Sequence, residues 1–226
     1  MNIPSPRHGI ALVLFWLSAS VCASESLTRY VDPFIGTDGT GHTFPGAAVP
    51  FGMVAPGPDN ADSGWSYSSG YQYRDENILG FSNTHISGAG INELGDVLLQ
   101  PASGKNWTSA TREFSSRYAK TSERATPGFY GVRLSDNRVS VELTTTQRVA
   151  FQRYRFDQQN GAQVLADFQH GLKFIHDDRV LQSEIAINAA NTEISGTVHT
   201  QGWVTRQYSF VLRFDQPFSA LRLPVR

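Results

Sequence analysis

The chain has 226 residues, of which 40% are hydrophobic and 17% are charged, a composition typical of a globular protein rather than a disordered one. Lysine and arginine total 19 against 20 aspartates and glutamates, so the formal net charge is −1. A chain this close to neutrality has no basic surplus to neutralise phosphates, and we predict no nucleic-acid partner.

The amino terminus has the pattern of a secretory signal peptide. Arg7 and His8 precede an apolar run from Ile10 to Leu17, and small residues precede a cleavage point after Ala23. We therefore expect residues 1–23 to be removed and the mature protein to be secreted or periplasmic. The apolar run is shorter than the roughly 20 residues that cross a bilayer, so no membrane span is predicted.

Cys22 is the single cysteine of the chain. Cleavage after Ala23 would remove it and leave a mature protein without disulfide or thiol chemistry. The alternative is a bacterial lipoprotein anchored through Cys22, which the bulky Val21 before it makes the less favoured interpretation.

The first half of the mature chain is predicted to consist of loops on short strands. From Tyr30 to Gly104 it is rich in glycine, proline, serine, asparagine and aromatic residues, and no periodicity persists for long. Two apolar segments bounded by turn residues, Ile78 to Phe81 and Val97 to Gln100, are predicted to be buried strands.

One short helix is predicted next, within Ala110 to Arg124. Phe114 and Tyr118 are four residues apart, as on one helix face, and Pro127-Gly128 would end the helix. No other stretch of the mature chain has this periodicity.

Alternation of apolar and polar residues is clear from Phe129 onward. Tyr130 to Leu134 and Val139 to Leu143 flank the turn residues Asp136-Asn137 and predict a hairpin. The same alternation returns in three further strand candidates, at Val149 to Phe156, Ile194 to Val198 and Tyr208 to Phe214.

So many strands require two stacked sheets. We predict an all-β fold, a two-sheet antiparallel β-sandwich (supersandwich-like) with one short helix, as a single domain over residues 24–226. Leu221 to Arg226 offers no closing strand, which leaves open that this sandwich is incomplete.

The stretch from Asp32 to Ala47, followed by Val49 to Met53, is unusually dense in glycine and proline. Glycine allows close approach of backbone to backbone or ligand, and proline stiffens a loop. Because no Gly-Lys-Ser/Thr follows, this is not a phosphate-binding loop. On the residues alone, a rigid connector between sheets is the favoured interpretation.

A second cluster combines aromatic and polar residues, first in Gly64 to Tyr71 and then in Gly80 to Gly90. Aromatic faces beside hydroxyl and imidazole groups are typical of a sugar subsite, where rings stack on C–H faces and polar groups bind hydroxyls. The alternative, and by frequency the commoner one, is that Trp65 and Tyr71 are core aromatics and the small residues form turns.

Together these stretches resemble the opening of glycoside hydrolase family 92, the calcium-dependent exo-acting α-mannosidases. The resemblance covers Tyr30 to Phe218, with Asn83 standing where a histidine is expected more often. The matching blocks are, in chain order, Val31 to Thr37, Gly41 to Ala47, Pro50 to Met53, Ser69 to Tyr71, Gly80 to Ser82, Thr84-His85, Ser87-Gly88 and Leu94 to Asp96.

The resemblance implies the amino-terminal β-sandwich of a two-domain enzyme whose larger (α/α)6 barrel is absent from this chain. Since the catalytic acid, the base and most Ca²⁺ ligands of such enzymes come from the barrel, no catalytic residue and no metal ligand is assigned here. Ca²⁺ is implied for the full-length enzyme and none for this fragment. The implied partners are α-mannosides or N-glycan-type mannose oligosaccharides and the missing carboxy-terminal catalytic domain. The implied substrate contacts are Trp65, Tyr71, His85, Ser87 and Gly88.

The chain's own acidic and imidazole groups do not form a recognisable catalytic or metal motif. Glu93 with Asp96 and the adjacent Asp177-Asp178 are acidic pairs, which we expect to be solvated surface carboxylates. The histidine spacings fit no ligand pattern, so these residues are predicted to be structural: His42, His85, His170 and His176.

Three hypotheses therefore remain. The leading one is a secreted α-mannosidase domain that is inactive alone, because a catalytic unit does not work piecemeal. The alternative is a free-standing carbohydrate-binding β-sandwich without hydrolytic activity. The third is a truncated gene product with no function of its own.

Overall fold

The computed structural model describes residues 26–105, 107, 114–174 and 179–219. The predicted signal peptide and Cys22 lie outside these residues. No helix in the described part is long and apolar enough to cross a membrane. Thirteen strands are present there: β1 (Gly57–Asp59), β2 (Asn77–Ile78), β3 (Gly80–Ser82), β4 (Leu98–Ser103), β5 (Ser116–Arg117), β6 (Arg124–Thr126), β7 (Phe129–Leu134), β8 (Val139–Thr145), β9 (Ala150–Phe156), β10 (Ala162–Asp167), β11 (Val180–Ile187), β12 (Glu193–Thr200) and β13 (Arg206–Arg213).

The strands pair antiparallel in four hydrogen-bonded groups, with the orders β1-β3-β4-β10, β6-β7-β8-β9, β11-β12-β13 and β2-β5. The prediction of an all-β antiparallel fold is confirmed. The two four-stranded sheets pack against each other, with the rings of Phe81 on β3 and Tyr130 on β7 6.4 Å apart.

The predicted hairpin is the centre of the core. β7 and β8 pair with Leu134 opposite Val139 and Tyr130 opposite Leu143, and the alternate side chains of both strands point inward. Each buried aliphatic or aromatic side chain stabilises the fold by roughly 1.5–3 kcal/mol. The core cluster consists of Ala47, Ile78, Phe81, Tyr118, Tyr130, Val132, Leu134, Val139, Val141 and Leu143.

The β11-β12-β13 sheet attaches through one apolar face and through ion pairs. Ile194 and Val198 of β12 are buried on that face, and Phe210 of β13 stacks on Phe168 with ring centroids 4.9 Å apart. Arg206, the first residue of β13, binds both carboxylate oxygens of Asp96 at 2.8 Å. This sheet is thereby fixed to the loop that precedes β4.

The predicted short helix is wrong for the part that the structure describes. Residues 110–113 lie outside it, and the remainder forms β5, a 3₁₀ turn over Lys120–Ser122 and the start of β6. Tyr118 forms an antiparallel β-bridge with Leu134, and the Arg117 amide donates a hydrogen bond to the Asp136 carboxylate. A spacing of four between two aromatics suits one helix face, but pairing with the hairpin prevails here over local periodicity.

Strand prediction also missed several elements. The segment Ile78 to Phe81 is divided at Leu79 between β2 and β3, which belong to different sheets. β1, β6, β10 and β11 were not predicted, because they are short or lack regular alternation in burial. The remaining predicted strands are present within three residues of their expected ends.

Candidate functional site

The five sequence-predicted contact residues divide into a surface group and an interior group. Trp65 is 48% exposed, and Ser87 and Gly88 are exposed beside it. Tyr71 is completely buried, and the side chain of His85 has no exposed surface. Of these five residues, only the surface group is therefore open to a ligand in this structure, whereas the Tyr71 hydroxyl and both ring nitrogens of His85 are hydrogen-bonded within the protein.

Trp65 begins a 3₁₀ turn (Trp65–Tyr67) that follows Gly64, whose φ of 95° only glycine adopts readily. The indole Nε1 donates a 2.8 Å hydrogen bond to the carbonyl of Gly90. The indole edge is thus fixed while about half of the residue faces solvent. A fixed, half-exposed indole is suited to stacking on the C–H face of a sugar.

His42 packs beneath Trp65. Its ring centroid lies 4.5 Å from that of the indole, and its carbonyl accepts a 2.6 Å hydrogen bond from the Gly88 amide. Its backbone φ is 54°, which is uncommon for a residue with a side chain, and its Nδ1 lies 2.8 Å from the Ser68 hydroxyl. We call the group of His42, Trp65, Ser68, Gly88 and Gly90 the indole cluster.

The sequence predicted His42 to be a structural residue and not a metal ligand. One sequence feature could have indicated a further role for His42. It follows Gly39, Thr40 and Gly41 in the glycine-dense stretch, within the part of that stretch that most specifically resembles the family. That stretch is not merely a connector, because it supplies the lower layer of the indole cluster.

A second group, the Asp59 cluster, lies in the interior next to the indole cluster. Asp59 ends β1, and its two oxygens lie 2.9 Å from Nε2 of His85 and 2.9 Å from Nε2 of His170. His85 Nδ1 also lies 2.7 Å from the Ala55 carbonyl. Because the side chains of Asp59 and His85 are 0% exposed, His85 acts as a support that holds the loop of Ser87 and Gly88 to the sheet.

The charges of the Asp59 cluster stabilise each other. Burial by itself would raise the pKa of Asp59, but the charge of His85 and the hydrogen bonds from His170 and His85 outweigh it and hold that pKa well below its ordinary 3.8. Burial opposes the charged form of His170, yet the hydrogen bond and charge of Asp59 raise its pKa above 6.5. The cluster is an ion-paired structural unit.

Tyr71 belongs to a third buried group. Its hydroxyl donates to Glu123, whose Oε1 also accepts a 2.7 Å hydrogen bond from Tyr130. Burial and the charge of Glu123 raise the pKa values of both tyrosines well above 10.0, so both remain protonated donors. Lys120 completes the group by donating to the Tyr71 hydroxyl at 2.9 Å. Tyr71 therefore ties the Gly64 to Tyr71 segment to the core.

The expectation that Glu93 and Asp96 are solvated surface carboxylates is wrong; Asp177-Asp178 lies outside the described residues. Glu93 is 6% exposed and pairs with Arg179, and Asp96 is 3% exposed and pairs with Arg206. The arginines that neutralise them lie far along the chain, Arg179 just before β11 and Arg206 at the start of β13, which explains why local sequence did not reveal the burial.

These pairings limit what the described residues can do chemically. The buried carboxylates are already engaged by histidine, arginine, lysine or tyrosine, and in the described part of the chain no three His, Cys, Asp or Glu side chains form a group that could hold a metal ion. Glycoside hydrolysis uses two carboxyl groups on either side of the bond that is broken, one as the acid and one as the base, and both must be free to act.

The sequence from residue 30 to residue 224 matches the family model described as the glycosyl hydrolase family 92 N-terminal domain. The chain belongs to this family. The resemblance inferred from the sequence blocks is confirmed, and the antiparallel β-fold agrees with it.

The family 92 chain is similar to a solved family 92 α-mannosidase of Bacteroides thetaiotaomicron, determined in complex with mannoimidazole. The two share 33% identity and a TM-score of 0.79, over 86% of this chain and 26% of that chain. A family 92 inverting mannosidase of the same organism, at 24% identity, 86% of this chain and 26% of that chain, has a TM-score of 0.68 and supports the fold alone.

A curated relative, an uncharacterized secreted glycosidase of Arthroderma benhamiae, is 33% identical over 162 residues. The match covers 68% of this chain and 21% of that protein. The family 92 chain thus spans about a quarter of the length of the solved α-mannosidase and about a fifth of the curated relative.

Proposed function

We propose that this chain is the amino-terminal domain of an α-mannosidase that hydrolyses terminal α-mannosidic bonds of glycans, and that it contributes the indole cluster to the sugar site. The observation that carries the proposal is the fixed, half-exposed Trp65 beside the exposed Ser87 and Gly88, in a family 92 fold. Similarity at 33% identity to an α-mannosidase that binds mannoimidazole supports mannose as the sugar.

Within this proposal the five predicted residues have two roles. Trp65 stacks on the sugar, and Ser87 with the backbone at Gly88 contacts its hydroxyls. His85 and Tyr71 act indirectly: His85 ties its loop to Asp59, and Tyr71 ties the Trp65 segment to Glu123. This division follows from burial together with pairing, because the ring nitrogens of His85 and the hydroxyl of Tyr71 already have hydrogen-bond partners inside the protein.

The catalytic acid, the base and Ca²⁺ are proposed to belong to polypeptide outside this chain. A carboxylate that held Ca²⁺ here would need free oxygens, but Asp59 and Asp96 each direct both oxygens to a cationic partner. This pairing supports a Ca²⁺ site that lies outside this chain. Alone, the domain binds sugar weakly and releases no mannose, because acid, base and sugar must be positioned together.

Secretion is part of the proposal. The leader pattern of residues 1–23 and the similarity to a secreted glycosidase support export, to the periplasm or the medium, with residues 24–226 as the exported domain.

The proposal is tested by titrating the chain with methyl α-D-mannopyranoside and with its C2 epimer, methyl α-D-glucopyranoside, followed by NMR. We expect millimolar binding of the mannoside, weaker binding of the glucoside, and a loss of about tenfold or more with Trp65→Ala, since tenfold equals about 1.4 kcal/mol. Phe151→Ala is the matched control, because Phe151 is an aromatic residue that is 60% exposed on β9 and is not part of the indole cluster.

Two results would contradict the proposal. The first is equal affinity for the two epimers that Trp65→Ala leaves unchanged. It would contradict both mannose as the preferred sugar and the indole cluster as the surface that binds it. Release of mannose by this chain alone from an α-mannoside, at rates typical of a complete glycosidase, would show that the acid and base lie within it.

A further inference from the structure

His42 has a buried nitrogen without a partner. The residue is 5% exposed, and Nε2 has no hydrogen-bond partner among the described residues, whereas Nδ1 lies 2.8 Å from the Ser68 hydroxyl. Buried polar atoms are nearly always paired, and an unpaired one calls for a physical explanation. By contrast, both ring nitrogens of His85 are satisfied.

The serine decides which atom carries the proton. Ser68 is 1% exposed, and His42 Nδ1 is the partner of its hydroxyl within the described residues. If the serine donates to Nδ1, its proton is used and Nε2–H is the single unpaired donor. The opposite tautomer would leave the serine proton and the Nε2 lone pair both unpaired, which costs more. Nε2 is therefore a donor in need of an acceptor oxygen.

The residue that lies over this donor is a glycine. Gly90 lies against the ring, and a Cβ built there would be 3.5 Å from His42 Nε2 and 3.5 Å from Trp65 Nε1. Gly88 and Gly90 have φ values of 76° and 62°, and the segment between them is attached to the rest of the cluster by the Gly88 amide and the Gly90 carbonyl. This segment therefore lies against Nε2 at the edge of the indole.

We propose that His42 Nε2–H donates a hydrogen bond to a hydroxyl oxygen of the sugar that stacks on Trp65, with the Gly88 to Gly90 segment moving to admit that oxygen. This inference rests on the proposed function, and it adds a residue that orients the sugar about the indole face. Ser68 acts through His42 as a positioning residue, since it fixes the tautomer that donates.

The variants His42→Asn and His42→Gln separate the two sides of the ring. Asparagine keeps a polar atom near Nδ1 for Ser68, tolerates positive φ, and lacks a donor at the Nε2 position. Glutamine places its amide nitrogen near the Nε2 position. We expect His42→Asn to weaken methyl α-D-mannopyranoside binding about fivefold to tenfold, and His42→Gln to recover most of that loss. His199→Asn, on β12, is the control.

A second measurement does not depend on a variant folding. In ¹⁵N-detected NMR of the wild-type imidazoles, the free chain should show His42 protonated at Nε2, and the mannoside should shift that nitrogen while His199 stays unchanged. If the wild-type chain binds the mannoside through Trp65 but the His42 Nε2 resonance does not shift, this inference alone is overturned. Absence of mannoside binding up to about 100 mM, far above a millimolar Kd, overturns both this inference and the proposed function.

Discussion

Replacing Asp59 with asparagine is a conservative change that is expected to be strongly destabilising. The carboxylate accepts hydrogen bonds from His85 and His170 at 2.9 Å each, and the three side chains are 0%, 0% and 3% exposed. Asparagine has the same shape but no charge, and its amide group offers one donor where an acceptor is needed. One imidazole N–H would face another donor in a buried site.

The magnitude follows from the cost of breaking a buried ion pair. Removal of one partner from such a pair destabilises a protein by about 3–5 kcal/mol, because the other charge stays buried and uncompensated. For a domain of this size each 1 kcal/mol lowers Tm by about 2–4 °C, so the expected decrease is about 6–20 °C. Asp38→Asn, which removes a pair with Arg74 that is 54% and 47% exposed, should cost less than about 1 kcal/mol.

The assay is urea unfolding followed by tryptophan fluorescence and by circular dichroism, with Tm from thermal scans of the same samples. Coincident transitions in the two signals would justify a two-state free energy. If Asp59→Asn proved no more destabilising than Asp38→Asn, the Asp59 cluster would not be the support we describe. The positioning role assigned to His85 would then fail as well.

The remaining predictions concern titration, backbone space and the core. The folded state raises the pKa of His170, so its contribution is complete below pH 6.5 and is lost as pH rises through the raised value; Tm should fall on the alkaline side, and His170→Gln should flatten that decrease. Asp59 has the opposite pH dependence: its contribution to stability is present above pH 3.8 and is lost as pH falls through its lowered pKa. Gly70→Ala places a Cβ 1.9 Å from Asp59 Oδ1 and should prevent stable folding, whereas Gly39→Ala, with open space and φ of 61°, should cost about 1–2 kcal/mol in urea unfolding. Leu134→Ala, at a fully buried position, should lower the unfolding free energy by about 2–5 kcal/mol, and an unchanged urea midpoint would contradict the core described here.

The β7-β8 hairpin could be predicted because its information is local. Alternation over a few residues fixes which side chains face inward, and the turn between the strands fixes the register. Tyr130, Val132 and Leu134 are buried as the pattern requires. The short β1, by contrast, has no alternation, and its burial depends on β3 beside it.

The candidate site could be predicted only in part. The structure places Trp65, Ser87 and Gly88 at the surface and Tyr71 and His85 inside, and the sequence motifs gave no means of distinguishing the two groups. A sequence motif indicates which loop a residue belongs to. Whether its side chain is exposed depends on the residues that pack over it in the fold.

By itself, the sequence determined the family and the alternation of the strands, since both are properties of neighbouring residues. Only the tertiary structure decided the electrostatic pairing, because Asp59 meets His170, and Asp96 meets Arg206, over separations of about 110 residues. A carboxylate in isolation is best solvated at the surface, and only a cation delivered from elsewhere in the fold makes its burial tolerable. The same holds for His42, whose unpaired nitrogen is visible only when its neighbours are in place.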